Sequence, residues 1–189
     1  MASAFGHALL AATLGTAFKR SIRSWKFFSI GMFCSIFPDA DVLSFTFGIP
    51  YEAFWGHRGF THSLLFAFLL GLLVTILFYR KSFRKWTVSL YVLYFSLCTA
   101  SHALLDAMTS GGLGVAFFSP WDNTRYFLPW RPIKVSPIGV ENFFSEWGKN
   151  VLLSEFYWIG IPCFIFFGTV LLFRYFKKNA DRQRALKVE

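Results

Sequence analysis

The sequence predicts an all-α, polytopic membrane protein built from about five hydrophobic helices, the first two short. Three observations predict it. The 189 residues are 55% hydrophobic, 21% aromatic and only 15% charged. A soluble domain of that size could not bury so much apolar surface, so part of its solvent is lipid. Apolar runs recur along the chain, separated by turns rich in lysine and arginine, and those basic residues collect on one side of the runs, as in multi-pass membrane proteins.

The elements follow in order. Residues 4–18 form a first apolar segment carrying His7. No positive charge precedes its apolar core, so it reads as a retained helix rather than a signal peptide. A basic turn, Lys19 to Lys26, leads into a second segment, Trp25 to Phe37, closed by Pro38-Asp39-Ala40-Asp41, because proline cannot continue helical hydrogen bonding. An aromatic connection over 42–56 precedes Trp55-Gly-His-Arg-Gly-Phe-Thr-His-Ser63, with Gly59 as a turn residue and Thr61 as N-cap of the third helix. That helix runs from His62 to Tyr79, and a second basic turn, Arg80 to Lys85, follows it. The fourth segment, Trp86 to Met108, is long enough to cross a bilayer. Residues 109–150 are a polar connection, with Trp121, Trp130 and Trp147 as interface anchors and Arg125, Arg131 and Lys134 as head-group contacts or solvated charges. The fifth segment runs from about Glu155 to Tyr175, before a basic tail at 177–189. The whole reads as one membrane-embedded domain, 1–189. Cys34, Cys98 and Cys163 all sit inside apolar segments and read as small buried hydrophobes.

Charge fixes the expected topology. The basic turns and tail hold fourteen basic residues against two acidic ones, a balance of +12; the remainder holds five basic against eight acidic, −3. The basic side is therefore expected in the cytoplasm, with 177–189 a cytoplasmic tail and 109–150 an extracytoplasmic loop region. It also argues against nucleic acid as a partner, since the positive charge belongs at the membrane's inner surface. This count never used the histidines, yet it places His7, Asp39, Asp41, His57, His62, His102 and Asp106 together on the outer side.

Those residues suit a metal. Imidazole and carboxylate are ligands for zinc and similar divalent ions, and ionisable groups at membrane-helix ends are functional candidates by default. His102 and Asp106 are spaced i,i+4, on one helix face. A structural histidine is usually solitary, whereas all four histidines of this chain belong to the set. Arg58 either holds an anionic substrate oxygen or forms a salt bridge to Asp39 or Asp41.

The early His7, the Pro38-Asp39-Ala40-Asp41 and His57-Arg58-Gly59-Phe60-Thr61-His62-Ser63 elements and His102-x-x-x-Asp106, in this order between apolar segments, resemble the YdjM-like family over roughly residues 1–110. That family is described as LexA-regulated, inner-membrane, metal-dependent hydrolases. The ligand order is also similar to zinc-dependent phospholipase C and the S1/P1-type nucleases. The resemblance implies His7, one of Asp39 and Asp41, one of His57 and His62, His102 and Asp106 as ligands, with Asp106 placed to bridge two ions. Those enzymes carry a second His-x-x-x-Glu/Asp, and this chain has no fifth histidine.

The expectation is thus a bacterial inner-membrane, multi-pass, metal-dependent hydrolase acting through metal-activated water. Its metal set is His7, Asp39, His57, His62, His102 and Asp106, holding one or two divalent ions, zinc first. Asp41 is the general base and Arg58 the phosphoryl-binding cation. The expected substrate is a phosphoester of a membrane lipid or lipid-linked molecule. The first segment gives roughly 22 Å of helix, less than a bilayer core of about 30 Å, so the ligands stop near the outer phosphates. The alternative is a metal-binding or transport membrane protein without hydrolysis. The apolar middles of the third and fifth segments count against transport.

Overall fold

The computed structural model describes residues 1–82, 86–137 and 143–186. Of the charges counted above, Arg84, Lys85, Glu141, Lys187 and Glu189 lie outside the described residues. Helices α1 (Ala4–Thr16), α2 (Trp25–Ile36), α3 (Leu64–Tyr79), α4 (Thr87–Ala107), α5 (Glu146–Glu155) and α6 (Ile161–Leu186) carry the fold, and no strand forms among the described residues. The paths Trp25–Phe47, Thr87–Ala107 and Glu146–Arg184 are long and apolar enough to cross a membrane, and α1 and α3 are shorter apolar helices.

Two boundaries differ from the sequence expectation. α2 ends at Ile36, but the chain continues as a 3₁₀ helix, Phe37–Phe47. Pro38 stands in the first turn of that stretch, where a missing N–H costs nothing, so Asp39 and Asp41 sit on a helical extension rather than at a free end. The fifth segment begins at Glu146 rather than Glu155, and a single π-turn, Phe156–Gly160, joins α5 to α6. α6 then runs to Leu186, so the described part of the basic tail is helical.

α4 packs against α3, α2 and α1, and α1 packs against α2 and α6. At the centre, Phe27 of α2 stacks on Tyr94 of α4 with ring centroids 3.9 Å apart. The Tyr94 hydroxyl donates to the Ala11 carbonyl at 3.2 Å. Gly31 permits this, since a Cβ there would stand 2.2 Å from that hydroxyl. The three cysteines are buried and free, as expected of small apolar fillers. α6 instead exposes Phe164, Ile165, Leu172 and Phe173, an apolar surface that suits lipid.

The basic turns gather at one end of the helices. Lys26 donates to the Phe78 carbonyl at 3.3 Å, and Arg174 donates to the carbonyls of Thr16 and Phe18 at the close of α1. Cations there also complement the helix dipole. The opposite end carries the four histidines with Asp39, Asp41 and Asp106.

Candidate metal centre

Four elements meet at that opposite end. α1 brings His7, the 3₁₀ extension of α2 brings Asp39 and Asp41, the loop before α3 brings His57, Arg58 and His62, and α4 brings His102 and Asp106. His7, His57, Arg58, His62, His102 and Asp106 are all buried.

His62, His102, Asp39 and Asp106 each place one ligand atom within 4.8 Å of the others, a group that could hold a metal ion. The hydrogen bonds around it show how. His102 Nδ1 lies 2.6 Å from the Ser35 carbonyl, which can only accept, so Nδ1 carries a hydrogen and Nε2 keeps its lone pair. His62 Nδ1 is held by the Thr61 hydroxyl oxygen at 3.1 Å, with Asp41 Oδ2 an ion-pair partner at the same distance. The two Nε2 atoms then face each other 2.9 Å apart. Asp39 Oδ1 stands 3.4 Å from His102 Nε2, and Asp106 Oδ2 stands 3.6 Å from His62 Nε2. Neither oxygen has a hydrogen-bond partner among the described residues.

Such a convergence of acceptors calls for a positive charge at its centre. Burial pulls the His62 imidazole down, but Asp106 and Asp41 outweigh it and hold its pKa up at about 9. Without metal, a proton between the two Nε2 atoms supplies that charge, and a cation binding there must displace it.

His7 lies on the far side of Asp106. Its ring stacks on His102 with centroids 3.8 Å apart, and its Nε2 is 3.5 Å from Asp106 Oδ1. Both its ring nitrogens are buried without a hydrogen-bond partner among the described residues. Asp106 thus turns one oxygen toward the four-atom group and the other toward His7 and the Ala2 N–H, 2.8 Å away.

Asp41 and His57 form a second layer. His57 Nδ1 is 2.6 Å from Asp41 Oδ1, while Oδ2 accepts from the Thr61 hydroxyl at 2.6 Å and the Arg58 N–H at 3.1 Å. Both oxygens of Asp41 are therefore engaged, and Asp41 links His57 to His62. Asp41, His57 and His62 also form a second group that could hold an ion.

Three expectations are corrected here. Thr61 does not cap α3, because its hydroxyl is spent on Asp41; Ser63 is the N-cap, its Oγ accepting from the Phe66 N–H at 3.0 Å. The side chain of Arg58 pairs with neither Asp39 nor Asp41, since its Nε lies 3.0 Å from Asp106 Oδ2, too poorly aligned for a hydrogen bond but close enough for a strong ion pair. Arg125 is more than a free loop charge, because its part-buried guanidinium donates to the carbonyls of Tyr51 and His57 at 2.7 and 2.8 Å.

Arg58 has a φ of 62°, in the left-handed region that costs a side-chain-bearing residue energy. Its contacts hold it there. Nη1 donates to the Gly111 carbonyl at 2.9 Å, Nη2 to Thr109 Oγ1 at 3.1 Å, and its own carbonyl accepts from Ala116 at 3.1 Å. Thr109 and the Ser35 carbonyl are site partners that sequence reasoning missed. The first is a lone hydroxyl in a loop, and the second leaves no residue signature.

Beside the cluster lies a cavity of about 330 Å³, walled by Tyr51, His57, Arg58, Gly112, Val135 and Trp147 among others. Gly112 sits at a φ of 88°, and a Cβ there would come within 2.6 Å of Arg58 Nη1. Glycine thus keeps the guanidinium in the cavity wall.

The comparisons with known proteins agree with this architecture. Residues 1–180 match the YdjM inner membrane protein family. The chain is 36% identical to the inner membrane protein YbcI of Escherichia coli (strain K12) over 168 residues, 89% of this chain and 96% of that one. No solved structure matches, and the family match does not extend to phospholipase C or the nucleases. With a family match over nearly its whole length and several apolar helices, this chain belongs to the YdjM family of multi-pass inner membrane proteins.

Proposed function

We propose that the protein is a membrane-bound, metal-dependent hydrolase of a phosphoester carried by a lipid or lipid-linked molecule. The observation that carries the reading is the convergence of His62 Nε2, His102 Nε2, Asp39 Oδ1 and Asp106 Oδ2 beside a cavity walled by Arg58. Two imidazoles and two carboxylates fit zinc and its divalent neighbours. Asp39 Oδ1 is buried with no hydrogen-bond partner among the described residues, and Asp106 Oδ2 has only its ion pair with Arg58, so both have room for a cation. His7, on the other oxygen of Asp106, gives room for a second ion.

A bound divalent ion supplies a water nucleophile at neutral pH and a Lewis acid. The chain's own residues supply the rest. Arg58, fixed by Thr109, Gly111 and Asp106, offers a rigid guanidinium to phosphoryl oxygens in the cavity. Asp41 orients His57 by a hydrogen bond at its Nδ1, and His62 by an ion pair at its Nδ1 and through the Thr61 hydroxyl. His57, which lines the cavity, moves the proton between the reacting water and the leaving oxygen. Asp41 thus works through the histidines rather than as the base itself.

Purified protein should contain one or two divalent ions by elemental analysis and should release phosphate or a phosphoalcohol from vesicle lipids. His102→Ala should lose most of the metal, and Asp122→Ala, a surface control, should keep it. Metal without turnover on any phosphoester would leave a metal-binding membrane protein. Equal metal in all variants would remove the ligand assignment.

The side of the membrane follows from the basic ends. We place the site on the extracytoplasmic face, and Trp55→Cys should then react with an impermeant thiol reagent in spheroplasts while Lys81→Cys stays unlabelled. The reverse labelling would put the site in the cytoplasm.

A further inference from the structure

We propose that the cavity at Arg58 is the head-group end of a continuous track, and that one hydrocarbon chain of a membrane lipid occupies the rest of it, between the start of α1 and α5. The proposal rests on the phosphoester reading above and adds where the substrate's tail lies.

Three cavities adjoin in sequence. The first, of about 330 Å³, carries His57 and Arg58. The second, of about 340 Å³, shares Met1, Ser136 and Pro137 with the first and is otherwise walled chiefly by Phe5, Phe143 and Phe144. The third, of about 500 Å³, shares Phe143 and Phe144 with the second and continues past Leu152, Leu153 and Phe156. Polarity changes along this path from a buried guanidinium and imidazole to aromatic and aliphatic side chains. The apolar walls are open, with Phe5 68%, Phe144 84% and Leu153 50% exposed. The far end lies on α5, the beginning of the path Glu146–Arg184 that is long and apolar enough to cross a membrane.

An open apolar groove is costly in water but not when it adjoins acyl chains. A cation at one end and mainly apolar surface at the other, where Ser145 and Lys149 are the polar exceptions, match an anionic head with a single tail. A soluble phosphoester would fill only the first cavity. A peptide would need backbone partners that these phenylalanine and leucine side chains do not offer. Each methylene that leaves water for the track is worth about 0.8 kcal/mol, which is close to fourfold in affinity.

Binding can be read without turnover, on metal-free protein in vesicles. A lysophospholipid with a diazirine at the end of its chain should crosslink to Phe144, Leu152, Leu153 or Phe156, located by mass spectrometry of the digest. Referred to the free aqueous concentration, competition by alkyl phosphates from hexyl to tetradecyl should strengthen about fourfold per methylene until the track is full. Phe144→Asp and Leu153→Asp change exposed positions, so their folding should survive. They should flatten that chain-length series while leaving metal content at the parent level. Crosslinks spread over α3 and α6, or a flat series in the parent, would overturn the track, even with lipid hydrolysis intact. Crosslinks on α5 with no hydrolysis of any phosphoester would keep the track and remove the hydrolase reading.

Discussion

Asp106→Ala should empty the metal centre and destabilise the protein by about 3–5 kcal/mol, the cost of leaving a buried charge without its partner. Asp106 is fully buried and serves four neighbours at once. It pairs with Arg58 Nε at 3.0 Å, accepts from the Ala2 N–H at 2.8 Å and turns an oxygen toward His62 and His102. Removing it strands the fully buried Arg58 guanidinium. A loss of that size is a large part of a typical folding free energy of about 5–15 kcal/mol. Asp106→Asn keeps the shape and an oxygen for Ala2, so it should also lose metal while melting closer to the parent. Elemental analysis and thermal unfolding in detergent read the two effects separately. An Asp106→Ala protein that keeps its metal and its melting temperature would mean that Asp106 is neither ligand nor partner to Arg58.

The part of this centre that was legible in sequence is the part that local geometry fixes. The i,i+4 spacing of His102 and Asp106 determines a shared helix face before any tertiary contact forms. Alternation of apolar runs and basic turns assigns residues to one end or the other, which brought His7, Asp39 and His62 to the same end as α4. Partner choice within that end was not legible, because it depends on ångström-scale packing of separate elements. Arg58 lies closer in sequence to Asp39 and Asp41 than to Asp106, yet its left-handed backbone aims the guanidinium at α4. Thr61 has the chemistry of an N-cap, but Ser63 is the residue whose Oγ reaches Phe66, and the Thr61 hydroxyl goes to Asp41. Arg125 grips backbone carbonyls, which have no sequence signature at all. The proline at 38 marked the end of α2 correctly, but it could not announce a 3₁₀ continuation, since the first turn of any helix tolerates proline.

His57→Ala should lower hydrolysis by about 10²–10⁴-fold, the usual scale for loss of a positioned acid–base group, while the bound metal stays at the parent level. His57 is the one histidine whose ring lines the cavity. It is absent from the four-residue group, is hydrogen-bonded to Asp41 and stands edge-on to the His62 ring. Asp41→Asn should behave differently from His57→Ala. It removes the anionic acceptor that orients His62 as well as His57, so metal affinity itself should fall by about 10–100-fold, as expected for a partner of a metal-bound imidazole. The pair of variants therefore separates proton transfer from metal retention. If His57→Ala instead sheds an ion, the group Asp41, His57 and His62 is a metal site in its own right, and the proton must be moved by another residue of the cavity. If neither metal nor turnover changes, His57 is a wall residue. Arg58 would then face the substrate with Tyr51 and the Met1 amine as the other titratable groups of the cavity wall.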